Sequence, residues 1–322
     1  MKLSSLGDLF HSLPAIHVLK RELGLTVDWM TQPEYADLVA CFDDVDHVRT
    51  FPRRRFLRSF PAWLRELRSE SYDYAFDFQG LFKSGLATGL SRAERRIGPS
   101  YAREGARFFY HERAGRRDKN RHAVDEALDF VEHLGLTVDE PRFPVTFPEQ
   151  SVRGAGPRVA YLPCSRWPTK NWPPAHFSAL IRRVHARAGG TAYLLGGRED
   201  ASVCDEIASA QESHVENLCG RTNLVELGGI LKAMDLLVTV DSGPMHMAVA
   251  VGVPVLALFG STDPARTGPY GKGHDVIQHG ELPCQPCRSR TCARREKDIA
   301  CMRDLSPERV AEAALARLDK EV

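Results

Sequence analysis

"VTVDSGPMHMAVAVGVPVLALFGSTDP", Val238 to Pro264, holds two apolar runs separated by a polar turn and a small-residue segment. The runs, "DLLVTVDSG" and "VPVLALFG", are continuous rather than alternating, which is the pattern of strands buried on both faces. Asp241-Ser242-Gly243 ends the first run, and a helix of small residues begins at once. Strand, turn, helix, strand in so short a span is the mark of a parallel sheet covered by helices.

The same alternation extends outward in both directions. Upstream, "RVAYLP" from Arg158 is a strand, Pro174 to Ala188 a helix, "TAYLLGG" from Thr191 a strand and Asp200 to Ala210 a helix, while Pro307 to Leu318 forms a closing helix. The first half repeats the pattern with strands at "VDWM" (Val27–Met30), "HVRTF" (His47–Phe51) and "YDYAFDF" (Tyr72–Phe78). Helices are expected near Glu34 to Cys41 and over "QGLFKSGLATGL". "VRGAGP", Val152 to Pro157, is rich in Gly, ends in Pro, and is the expected linker. A chain of 322 residues is too long for one ordinary core. Two Rossmann-like domains are expected, 1–152 and 157–305, with 306–322 as the closing helix.

Composition narrows the partners. With 43 basic and 42 acidic side chains the net charge is +1, and 43% of residues are hydrophobic, which fits a soluble globular protein and gives no global signal for nucleic acid. Between Arg49 and Arg121, however, 18 Lys or Arg stand against 8 Asp or Glu, so the first half favours anionic partners such as phosphates or a membrane face. "FPRRRFLRSFPAWLRELR", Phe51 to Arg68, interleaves aromatics with arginines; it suits lipid A phosphates or an anionic bilayer, or equally a solvated helical face whose aromatics belong to the core. No signal-peptide pattern opens the chain and no apolar run is long enough to span a bilayer, so a cytoplasmic location is expected. No G-x-G-x-x-G or P-loop pattern occurs, which disfavours a nicotinamide dehydrogenase or a P-loop kinase.

Four strand ends carry candidate chemistry. The turn at Asp241-Ser242-Gly243 offers free N–H groups and the positive end of a helix dipole, an arrangement that binds phosphates, and His246 lies one turn along. "LPCSRWPTKNWPPAHF", Leu162 to Phe177, places Lys170 in a loop between strand and helix, a point charge suited to a diphosphate. "LGGREDA", Leu195 to Ala201, brings Glu199 or Asp200 to a third strand end, where a carboxylate suits ribose hydroxyls. "SSLGDLFHSLP", Ser4 to Pro14, opens a helix with Gly7-Asp8, and an acid in the first turn stabilises a helix by roughly 0.3 to 1 kcal/mol without any other role.

Together these pieces resemble the lipopolysaccharide heptosyltransferases of glycosyltransferase family 9. The residues that carry the resemblance are Ser4-Ser5-Leu6-Gly7-Asp8 with His11 and Leu13-Pro14, "FDFQGLFKSGL" at Phe76 to Leu86, "WPTKNWP" at Trp167 to Pro173, Asp241-Ser242-Gly243 with His246, and "TGPYG" at Thr267 to Gly271. The resemblance runs nearly end to end. It implies an α/β, GT-B architecture of two Rossmann-like domains facing each other across a cleft. The implied reaction is inverting transfer of heptose from ADP-heptose to the Kdo or heptose of the lipid A-Kdo inner core, at the inner membrane, with no metal required. Asp8 is the implied catalytic base. Ser165, Lys170, Asp200, Asp241, Ser242, Gly243 and His246 are implied at the donor, and Ser5, Gly7, His11, Gln79 and Lys83 at the acceptor. A transferase of another nucleotide sugar, or a non-catalytic binder of the same fold, would carry the same strand-end turns.

Three further features complete the reading. Cys284, Cys287, Cys292 and Cys301 are spaced as four thiolates of a structural zinc would be, with reduced thiols in a packed loop as the alternative. Asp44-Val45-Asp46 matches the Asp-x-Asp pattern of metal-dependent sugar transferases but is expected to be a plain polar loop. Finally, only Met1, Lys2 and Leu3 precede the Ser-Ser-Leu-Gly-Asp turn, so weak support is expected beneath Asp8.

Overall fold

The computed structural model describes residues 1–52, 56–118, 120–211, 214–280, 282–294 and 298–320. The chain divides into two compact units, Met1–Thr146 and Phe147–Val322. The expected linker at Val152–Pro157 falls inside the second unit. Phe147 is buried there against Gly228, where an added Cβ would lie 2.5 Å from the Phe147 ring. The linker segment is itself tied down, with Thr191 Oγ1 donating to the Ala155 carbonyl and the Tyr193 hydroxyl to that of Arg153.

The first unit runs α1 (Leu6–Leu23), β1 (Asp28–Thr31), α2 (Ala36–Val39), β2 (His47–Thr50), α3 (Phe56–Leu67), β3 (Tyr72–Phe76), α4 (Phe82–Leu90), β4 (Ala93–Pro99), β5 (Glu112–Ala114) and α5 (Ala123–His133). Its strands pair in parallel as β1-β2 and as β3-β4-β5. Residues 1–4 join the two sets. Lys2 N donates to Met30 O and Gln32 N to Leu3 O on one side, while Phe78 N donates to Met1 O on the other. Gln79 Oε1 accepts from both Leu3 N and Ser4 N, and the Trp29 indole donates to Lys2 O. The short lead-in therefore supports the turn before α1 through ladder bonds and a side-chain clamp. Below it, between β1 and β3, opens a cavity of about 860 Å³ lined by Met1, Leu19, Trp29, Tyr72 and Phe76 among others.

In the Phe51–Arg68 stretch the aromatic rings belong to a core. Phe51 stacks on Phe56 and meets Trp63 edge-on, and with Leu3, Met30, Leu67 and Ala87 these rings form a core cluster. Arg53, Arg54 and Arg55 lie outside the described residues.

The second unit runs β6 (Arg158–Leu162), α6 (Pro174–Ala188), β7 (Thr191–Leu194), α7 (Ala201–Ser209), β8 (Val215–Asn217), α8 (Leu224–Lys232), β9 (Leu236–Val240), α9 (Gly243–Ala250), β10 (Val255–Phe259), α10 (Pro264–Thr267), β11 (Asp275–Gln278), α11 (Ala300–Arg303) and α12 (Pro307–Leu318). Its six parallel strands lie in the order β11-β10-β9-β6-β7-β8. Every residue of β9 and β10 is buried, as their unbroken apolar runs predict. Because the chain leaves β6 toward β7 and β8 and returns on its other side as β9, the strand order reverses between β6 and β9. In open parallel sheets, ligands bind beyond the carboxyl ends of the strands at this point. α12 packs on α6 and contributes Val310, Ala311, Ala314 and Leu318 to the core.

Candidate functional site

The loop after β6 and the turn after β9 meet at that switch point. Lys170 Nζ lies 2.7 Å from Asp241 Oδ2, with only 14% and 6% of the two side chains exposed. Thr262, just beyond β10, donates its hydroxyl to the same carboxylate oxygen at 2.5 Å. Three strand ends thus converge on one carboxylate. Lys170 closes a single helical turn, Pro168–Lys170, whose Thr169 is buried and shares a hydrogen bond of 3.0 Å with Ser261 Oγ. Asn171 Oδ1 accepts from Ser165 N, and the buried Trp172 donates to Leu305 O, so the loop is pinned at both ends. Of the two loop tryptophans, Trp172 is therefore core, whereas the Trp167 ring lies under the Lys170 ammonium, 4.7 Å from its centroid.

Ser242 is the extended N-cap of α9, 3.2 Å from Thr239 Oγ1, and Gly243-Pro244 open the helix. Proline there lacks an N–H that would in any case have no helical partner. His246 is buried on α9 within one turn of Gly243. At the next strand end, Gly197 N donates to Asp200 Oδ2 at 2.9 Å, and burial raises the Asp200 pKa above the ordinary carboxylate value. Burial, with the Asp200 charge next, pushes the neighbouring Cys164 thiol up to about 12. Asp200 thus closes its own turn, while Glu199 is the exposed acid of the pair, its carboxylate lying over Gly197.

In the first unit Asp8 occupies the third position of α1. Its Oδ2 accepts from Ser5 N at 2.8 Å and Ser5 Oγ at 2.7 Å, the reach-back half of a capping box. Its Oδ1 lies 4.0 Å from Nδ1 of the buried His11, and the Asp8 side chain is 39% exposed. Oδ2 is thus the oxygen that caps the helix. Gly7 is buried beneath the turn, and His11 meets the His122 ring edge-on. Gln79 is used by its Oε1 to hold residues 3 and 4, and Lys83 is exposed on the first turn of α4. The turn before α4 is built by buried Asp77, which accepts from Gln79 N and Gly80 N and from the Tyr110 hydroxyl. Gly80 sits there at φ +67, a region other residues rarely adopt.

The Asp-x-Asp stretch and the four tail cysteines lie in different units. Asp44 bonds the His17 ring at 2.9 Å, while Asp46 bonds Lys20 and Val27 N. The Asp-x-Asp pair therefore ties α1 to the entry of β1. Cys284, Cys287, Cys292 and Cys301 are all free thiols, and burial, then the other three thiols, pushes Cys301 up to about 11. Among the described residues no group of three His, Cys, Asp or Glu side chains is placed to hold a metal ion. Among the described residues no helix is long and apolar enough to cross a membrane.

The family model for glycosyltransferase family 9 (heptosyltransferase) matches residues 61–297. The chain belongs to glycosyltransferase family 9. This glycosyltransferase is 28% identical to lipopolysaccharide heptosyltransferase 1 of Pseudomonas aeruginosa, over 97% of this chain and 95% of that one. Its fold matches the solved structure of E. coli heptosyltransferase WaaC with ADP, with a TM-score of 0.80 at 24% identity over 98% of each chain. It also matches WaaC with ADP-2-deoxy-2-fluoro heptose, with a TM-score of 0.76 at 23% identity over 100% of this chain and 98% of that one. The GT-B class and the parallel α/β architecture expected from sequence are those of these structures.

Lys170 and Asp241 stand 71 positions apart in sequence, with nothing local to show that they pair. Thr262 and Ser261 are marked in sequence only by position, since "GSTDP" directly follows the buried run of β10, and Thr169 only by its place in "WPTKNWP".

Proposed function

We propose that this glycosyltransferase moves heptose from ADP-heptose to an inner-core sugar of lipopolysaccharide, Kdo or heptose, with inversion at the anomeric carbon. The observation that carries this reading is the Lys170–Asp241 pair at the switch point of the second unit's sheet, beside the amino end of α9. Support for the donor comes from WaaC, solved with ADP and with a fluorinated ADP-heptose. The acceptor class follows from the name of the Pseudomonas aeruginosa relative.

In the proposed step the acceptor hydroxyl oxygen attacks the anomeric carbon, the bond from that carbon to the β-phosphate oxygen breaks, and ADP leaves with the electron pair. Asp8 takes the hydroxyl proton. Lys170 and the first N–H groups of α9 stabilise the charge on the departing diphosphate, while Asp241 accepts hydrogen bonds from the sugar. Ser165, Ser242, Gly243 and His246 line the donor, with Glu199 or Asp200 toward the ribose. Ser5, Gly7, His11, Gln79 and Lys83 serve the acceptor. A diphosphate is already a good leaving group, so this step draws on no second catalytic carboxyl and no metal. Contact with the membrane face that bears the lipid acceptor completes the reading.

Binding calorimetry against a panel of nucleotide sugars, followed by transfer to Kdo-lipid A and to its heptosylated form, tests it. ADP-heptose is expected to bind and one acceptor to be glycosylated, in EDTA as in buffer. Selective binding of a uridine or guanosine nucleotide sugar would overturn the donor, and binding without transfer to either acceptor would overturn the enzyme reading.

A further inference from the structure

The segment from Gln285 to Thr291 lies far from every motif at the donor site in sequence, yet it is stitched to the floor of that site. Gln285 Nε2 donates to the Phe259 and Gly260 carbonyls at the end of β10, each at 3.0 Å. Arg288 N donates to Ser261 O, and the Arg288 guanidinium pairs with Asp263 at 2.7 Å. Buried Thr169, the residue before Lys170, donates its hydroxyl to Ser289 O at 2.7 Å. The result is that the Arg290 guanidinium lies 4.8 Å from the centroid of the Trp167 ring, the same ring that underlies Lys170.

Charge balance at this cluster decides what Arg290 does. A nucleoside diphosphate sugar brings two negative charges. Lys170 is matched by Asp241 and Arg288 by Asp263, so each of those pairs is neutral in sum. Arg290 is exposed and, among the described residues, has no carboxylate partner. Its guanidinium also offers the planar fork that suits phosphate oxygens.

We propose that Arg290 is a second donor-binding cation, which grips the diphosphate beside Lys170, and that Trp167 positions both cations by stacking. The proposal rests on the nucleotide-sugar reading above and adds a residue to it. It also gives the 285–291 segment a task, that of delivering a positive charge beside Lys170 and Arg288, which are already paired with carboxylates.

The test is calorimetry of ADP and AMP binding to the parental protein, Arg290→Ala and Arg290→Lys, repeated across a salt series. Loss of one charge-assisted phosphate contact is expected to weaken ADP binding by roughly tenfold to a hundredfold. AMP binding should fall less, so the ADP-to-AMP preference shrinks. The steepness of log Kd against log salt should also drop in Arg290→Ala and recover in Arg290→Lys, which a merely structural arginine would not produce. An Arg290→Ala protein that keeps the parental ADP affinity and salt dependence overturns this proposal alone. A parental protein that binds neither ADP nor AMP overturns the nucleotide-sugar reading and this proposal with it.

Discussion

Replacing Asp8 tests separately the helix cap that the structure shows and the base role proposed above. Oδ2 accepts both bonds from Ser5, at 2.8 and 2.7 Å. In Asp8→Asn the amide oxygen can take the place of Oδ2, so the turn before α1 is kept, and the change in stability should stay within about 0.5 kcal/mol. Asp8→Ala removes both bonds and should cost about 1 to 2 kcal/mol, lowering Tm by roughly 3 °C for each kcal/mol in a unit of this size. Neither residue can take a proton from the acceptor. Loss of a positioned general base lowers rates by about 10² to 10⁴, or about 3 to 5 kcal/mol on the barrier. The assay is single-turnover transfer from saturating ADP-heptose, read by mass spectrometry of the glycolipid, with donor affinity and Tm measured on the same samples. Asp8→Asn should bind donor and melt like the parent while losing transfer. Transfer by Asp8→Asn within about threefold of the parental rate would leave Asp8 a helix cap and refute its assignment as the base.

Other outcomes follow from the same structure. Asp241→Asn strands the mostly buried Lys170 ammonium, and breaking such a pair costs about 3 kcal/mol or more, so the urea midpoint should fall; additivity with Lys170→Met in a double-mutant cycle would show that the two residues do not interact. Burial holds His274 low, to about 4, against an unfolded value near 6.5. Since the unfolded chain binds that proton first, this residue's stabilisation is present above about pH 6.5 and is lost as pH falls toward 4. His274→Asn retains an acceptor for Val255 N and should flatten the acid limb of the stability curve by about 2 kcal/mol after discounting for partial exposure; an unchanged limb would contradict this.

What the sequence determined alone is what local chemistry determines. The unbroken apolar runs bounded by turn residues form the buried strands β9 and β10, and Pro174–Ala188 forms its helix over the span expected from its own periodicity. Turn residues at the ends of those runs likewise locate the strand ends where ligands bind. The strands that sequence missed are short or charged. β4, "AERRIGP", forms because β3 and β5 flank it and Arg95 finds Glu112 across the ladder. Only tertiary structure distinguishes residues whose sequence context is alike. Trp167 and Trp172 share one loop, yet one underlies two cations and the other is core. Asp44 and Asp46 match a metal-binding pattern in sequence, yet in the fold they bond His17 and Lys20 of α1. Lys170, Asp241 and Thr262 become one site because parallel pairing brings the carboxyl ends of β6, β9 and β10 together across distant stretches of chain. The weak support expected beneath Asp8 was misjudged for the same reason, since the backbone of β1 and the side chain of Gln79 hold residues 1–4 from either side. Periodicity is a property of neighbours in sequence, whereas partnership and desolvation are set by neighbours in space.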